Sequence, residues 1–138
     1  MSPETRLALL LAILAGAAPP LRAAEALIVV QRSPLAGLRY YEAPRLWPQL
    51  KPGERLELAR EPDNPYDAGA IRVEWRGAML GYLPRRDNAA VARQLDRGVA
   101  LQARIVEAGR HRNGRARVEI EVVAPLASPG ERGMENGK

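Results

Sequence analysis

The stretch Leu58-Ala59-Arg60-Glu61-Pro62-Asp63-Asn64-Pro65-Tyr66-Asp67-Ala68-Gly69-Ala70-Ile71-Arg72-Val73 decides how the rest of the chain is read. It starts in a strand, crosses a polar loop held by two prolines and re-enters a strand. Each proline fixes its own φ and pushes the preceding residue toward extended geometry. Asn64 and Asp67 are residues that bond to backbone amides a little further along the chain. The plain reading of Asn64-Pro65-Tyr66-Asp67 is therefore a rigid turn whose side chains satisfy one another. The functional reading is that the turn presents an amide, a carboxylate and an aromatic ring on a stiff support, as binding loops do.

Outward from this loop, apolar residues mostly alternate with polar ones, which is the strand period. Leu27–Arg32 is a β-rich run. Leu56 and Leu58 share a face within Glu54–Arg60, and Ile71, Val73 and Trp75 share one within Ala70–Trp75. Arg76-Gly77 reads as a hairpin turn into Ala78–Leu83. Leu101, Ala103 and Ile105 alternate, as do Val118, Ile120 and Val122, and Gly109–Gly114 between them reads as a flexible basic hairpin loop. Helical spacing appears in Arg85–Arg97, where Val91, Ala92 and Leu95 fall together, Asp87 or Asn88 can cap the start and Gly98 follows the end. Residues 43–50 suit a shorter helix interrupted at Pro48. Trp47 and Trp75 are expected in the core, and His111 on the surface. The expected fold is mainly β: a small, mostly antiparallel six-stranded barrel with one or two short helices, OB-like being one of its possible forms. Periodicity alone leaves an SH3-like barrel and a sandwich open.

The ends read differently. Arg6 precedes the apolar run Leu7–Ala18, followed by Pro19-Pro20 and the small-residue segment around Ala23. This is the pattern of a secretory signal peptide, with cleavage expected after Ala23. The run is shorter than the about 20 apolar residues that cross a bilayer, so no stable membrane span is expected. Residues 1–23 are thus expected to be a signal peptide, 27–124 one domain and 125–138 a disordered tail. The expected localisation is exported, periplasmic or secreted, and the expected state is a monomer.

Composition excludes several classes of chemistry. The 138 residues include no Cys and one His, which rules out thiol nucleophiles, Cys-based zinc sites and His-rich metal sites. There is no Walker A loop and no G-x-S-x-G elbow, so no cofactor, metal or catalytic residue is assigned. The chain carries 21 Lys+Arg against 16 Asp+Glu. All the basic residues except Lys51 and Lys138 are arginine, which suits phosphate recognition but is also what codon bias produces.

Together with Gly37-Leu38-Arg39-Tyr40-Tyr41 and Gly81-Tyr82-Leu83-Pro84, the Leu58–Val73 stretch closely resembles the HIRAN domain. The resemblance runs from about Leu27 to Val123, with order and spacing maintained. It implies a modified OB barrel of about six strands with two helices. It also implies binding of single-stranded DNA, particularly a free 3′-hydroxyl end. By position, Arg39 and Tyr40 resemble the family residues beside the terminal nucleotide, Asn64, Tyr66 and Asp67 those that pocket the 3′ end, and Tyr82 and Arg85 further base and backbone contacts. Tyr82 departs from an animal member of the family, which has histidine there; both rings stack on bases. In an extended Gly37–Tyr41 segment, Tyr41 faces away from Tyr40, into the core.

The expected function is a non-enzymatic nucleic-acid-binding module. A carboxylate at Asp67 would accept a terminal hydroxyl and repel a continuing phosphodiester, selecting ends. The export signal supports an alternative: an envelope protein whose barrel binds an anionic polymer, a small ligand or a protein partner. Extracellular DNA satisfies both readings.

Overall fold

A computed structural model describes residues 26–126. The expected signal peptide and nearly all of the expected tail lie outside them. Six antiparallel strands form one sheet: β1 (Leu27–Pro34), β2 (Arg55–Arg60), β3 (Ile71–Trp75), β4 (Ala78–Tyr82), β5 (Gln102–Arg110) and β6 (Ala116–Pro125). Their spatial order is β1-β6-β5-β2-β3-β4. The fold is mainly β, as the periodicity predicts.

The sheet curls until its two ends meet. Just past β1, Ala36 donates its N–H to the Tyr82 carbonyl at 2.8 Å and accepts the Tyr82 N–H at 3.0 Å. This single bridge joins the β1 side to β4. It demands glycine at position 81, because a Cβ there would run into the Ala36 carbonyl oxygen. The barrel encloses Leu56, Ile71, Leu80, Leu83, Ile105 and Ile120, all essentially inaccessible. Side chains of this size stabilise by about 1.5–3 kcal/mol each when fully buried.

Local rules account for the connections. Arg76 and Gly77 take φ of 47° and 82°, the paired positive values of a tight hairpin turn, and Trp75 faces Ala78 across it. Trp75 is buried, as expected, and donates its indole N–H to Glu54 at 3.0 Å. Trp47 is only half-buried, on the short helical segment where α1 (Ala43–Leu46) passes into a 3₁₀ turn containing Pro48.

Four expectations need correction. The last hairpin is longer than its apolar alternation suggests: β5 runs to Arg110 and β6 begins at Ala116, so Gly109 and Arg110 are ladder residues rather than loop. The turn that remains, 111–115, is fastened by His111 N–H to Arg115 O at 2.9 Å and Gly114 N–H to His111 O at 2.8 Å. At the other end β6 continues through Pro125, where the tail was expected to begin, because Leu27 of β1 pairs with it. The helical stretch expected at Arg85–Arg97 splits into a 3₁₀ turn (Arg85–Asp87) and α2 (Ala89–Asp96). Finally, Leu38–Tyr40 forms a 3₁₀ turn rather than extended chain, so the core-facing residue is Leu38, and Tyr41 stays 38% exposed.

Candidate nucleic-acid interface

The loop between β2 and β3 is closed at its base by the Glu61 N–H to Ala70 O bond, 3.0 Å, and by Arg60 Nη1 to the same carbonyl, 2.9 Å. Inside it, Asn64 Oδ1 accepts the Tyr66 N–H at 2.9 Å and the Asp67 N–H at 3.3 Å, while Asp67 Oδ1 accepts the Gly69 N–H at 2.9 Å. These are the self-satisfying Asx bonds the sequence suggests. They leave Tyr66 with no support of its own, 85% exposed at the rim.

Two residues missed by sequence reasoning complete the framework. Glu61 Oε1 accepts both the Tyr82 hydroxyl at 2.7 Å and the Asn64 amide at 3.0 Å. Asn88 donates its amide to Asp67 Oδ2 at 2.7 Å. Asn88 stands at the cap position of α2, as predicted, but its backbone is already helical and its side chain makes no cap bond. The amide is diverted to the loop instead. Sequence reading assigned Asn88 the commoner duty of its residue type, and only the fold brings it against Asp67.

The electrostatics fix the direction of each bond. Burial, the hydrogen bond to Glu61 and the Glu61 charge, with a smaller effect of Tyr41, push the Tyr82 phenol up to about 12. Partial burial would raise Glu61, but the hydrogen bonds from Tyr82 and Asn64 and the charge of Arg72 outweigh it and hold Glu61 below its ordinary 4.5. At neutral pH Tyr82 is thus the donor and Glu61 the anionic acceptor. With its hydroxyl committed, Tyr82 offers its ring. Tyr41 meets that ring edge to face, centroids 5.9 Å apart.

Tyr41, Asn64, Tyr66, Asp67 and Tyr82 line a hollow of about 420 Å³ with Pro65, Leu83 and Arg85, while Glu61 and Asn88 stand behind it. Of the seven residues singled out from the sequence, it brings together Asn64, Tyr66, Asp67, Tyr82 and Arg85. Arg85 is exposed and forms no ion pair among the described residues. Arg39 and Tyr40 line a separate adjoining hollow of about 300 Å³ on the far side of the 3₁₀ turn. There the Arg39 guanidinium lies 4.6 Å over the Tyr40 ring and bonds its hydroxyl. Tyr41, assigned to the core from sequence, takes the place beside Asn64 and Asp67 in the main hollow. Among the described residues, no three His, Cys, Asp or Glu side chains cluster so as to hold a metal.

Similarity to known proteins agrees with this architecture. The helicase-like transcription factors of mouse (Mus musculus) and rabbit (Oryctolagus cuniculus) are each 37% identical over 79 residues. That segment is 56% of this chain and only 7% of either relative. The crystal structure of the HIRAN domain of human HLTF superposes with a TM-score of 0.56 at 25% identity, covering 68% of this chain and 73% of that one. A Lactobacillus plantarum protein of known structure shares the fold, with a TM-score of 0.61 at 24% identity over 72% of this chain and 98% of its own. The HIRAN domain model matches residues 28–127, the greater part of the sequence, and the chain belongs to that family.

Proposed function

We propose that the protein is a non-enzymatic module that binds single-stranded nucleic acid, with the free 3′-hydroxyl end seated in the hollow beside Asp67. The observation that carries this reading is how Asp67 is held. Its two oxygens are fixed by neutral donors, the Gly69 N–H and the Asn88 amide. A carboxylate has about four acceptor sites, so both oxygens keep capacity toward the hollow. A terminal hydroxyl supplies the missing donor, whereas a phosphate there meets uncompensated negative charge. Tyr66 and Tyr82 supply ring surface for a base, worth about 1–3 kcal/mol per stacked base and tolerant of sequence. Arg85 supplies a cation for the adjoining phosphate.

Export belongs to the same proposal through residues 1–23, which makes extracellular DNA the natural ligand. The test is fluorescence anisotropy of the purified chain with single strands ending in 3′-hydroxyl or 3′-phosphate. The hydroxyl end is expected to bind about tenfold more tightly, and Asp67→Ala to abolish that preference. Affinity should also fall with salt, more shallowly in Arg85→Gln by about one counterion. Binding that is weak, blind to the end group and indifferent to Asp67→Ala would leave the loop structural. An envelope polymer or a protein partner would then be the ligand to seek.

A further inference from the structure

We infer that the bound strand continues from the end-binding hollow along a groove beside the Gly37–Tyr41 segment and reaches the ring of Trp47. This rests on the reading of the hollow as an end site and extends it to the nucleotides on the 5′ side.

Three hollows follow one another along this flank. The end-binding hollow is bounded by Ala36 and Tyr41. The next, bounded by Leu35 and Tyr40, carries Arg39 and Arg115. A third, of about 280 Å³, shares Leu38, Arg39, Arg115 and Ala116 with the second and adds Trp47 and Arg110. The second and third hollows thus share walls, and the first meets the second at the chain neighbours Ala36 and Leu35 and Tyr41 and Tyr40.

Beyond the end-binding hollow the charge along this path has one sign. The second and third hollows contain no carboxylate in their linings. Among the described residues Arg39, Arg110 and Arg115 form no ion pair, whereas their neighbour Arg117 is neutralised by Glu107 and Glu119. The unpaired Arg110 and Arg115 line the groove, and the ion-paired arginines of the same hairpin, Arg104 and Arg117, do not. The ladder holds Arg110 on a paired strand, and the His111 N–H bond to the Arg115 carbonyl fastens Arg115 at its end.

Rings alternate with these cations. Tyr40 is 66% exposed beneath the Arg39 guanidinium. The half-buried Trp47 carries Arg110 at 5.3 Å over its ring. Such a guanidinium–indole pair stacks a base against either partner and contacts phosphate with the free N–H groups. Aromatic platforms interleaved with unpaired arginines are what a single strand requires and an acidic peptide does not.

The experiment uses the full chain and oligothymidylates with free 3′-hydroxyl ends. One is about 3 nucleotides long, shorter than the about 4–16 an OB-type fold covers, and one is about 10. The longer strand is expected to bind about tenfold more tightly and to quench tryptophan fluorescence, since Trp75 is buried and Trp47 is not. Trp47→Leu should remove both the quenching and most of the length-dependent gain while leaving the short strand unaffected. Arg110→Gln, at an exposed position, tests the same groove where Trp47→Leu disturbs packing, and should lower the gain about threefold. Equal affinity for both lengths with the 3′-hydroxyl preference intact would overturn the groove and leave the end site standing. Failure of both lengths to bind would overturn both.

Discussion

Asp67 and Glu121 are each fixed by two side-chain or backbone partners, yet they are left in opposite electrical states. Glu121 is 4% exposed on β6 and lies between Arg32 of β1 and Arg104 of β5. Arg32 reaches it at 2.6 Å, and Arg104 donates Nε and Nη2 at 2.9 and 2.8 Å. The hydrogen bond from Arg104 leads the effects that hold Glu121 below its ordinary 4.5, with Arg32 adding to it against the cost of burial. That carboxylate is spent on cross-linking three strands. Asp67 is held by neutral donors and has no cation paired with it among the described residues, at a hollow that also contains the unpaired Arg85. One region neutralises its charges, and the other positions them without neutralising them. Arginine-rich composition alone distinguishes neither.

The contrast depends on both regions belonging to one barrel, so the largest effect should come from breaking the joint. Gly81→Ala forces the Ala36 carbonyl away from β4 and is expected to cost about 3 kcal/mol, read as a fall in the urea midpoint. Next comes the neutralised region. Glu121→Gln should cost about 2 kcal/mol at neutral pH, since it removes charge-assisted bonds to two arginines that remain partly solvated. The sign follows from linkage: a carboxylate lowered in the folded state contributes stability above about pH 4.5 and loses it as pH falls through the folded value. Unfolding curves of Glu121→Gln and the parent should therefore converge in acid, with 3′-hydroxyl preference unchanged. The smallest effect sharpens the other side. Asn88→Ala should cost about 1 kcal/mol and reduce the 3′-hydroxyl preference several-fold, because Asp67 keeps its charge and loses its aim. Retention of the full preference would mean that the Gly69 amide suffices to orient Asp67.

The parts legible in the sequence were those encoded locally. The Asx bonds of Asn64 and Asp67, the Arg76-Gly77 turn and the alternation of Ile71, Val73 and Trp75 each follow from residues a few positions apart. What sequence did not disclose depends on partners far along the chain. Asn88 was read as a cap because nothing nearby in sequence points to Asp67. Glu61 lay inside the deciding stretch, but its role depends on Tyr82 arriving from β4. Tyr41 was assigned by strand alternation in a segment that turns as a 3₁₀ helix, and alternation has no meaning there. Arg39 and Tyr40 were grouped with Asn64 by resemblance, while the fold places them in an adjoining hollow of their own.

Tyr82 serves two purposes whose combination matters for the order of events in folding. Its backbone makes the bridge to Ala36, and its ring forms a wall of the hollow. Ala36 and Tyr82 are distant in sequence, and such contacts carry a loop-closure entropy that local hairpins do not. A chain that has formed its hairpins but not this bridge has no complete hollow. The hollow is therefore complete only once this non-local contact has formed, and under the proposed function a partly unfolded copy that lacks the bridge lacks the end site as well.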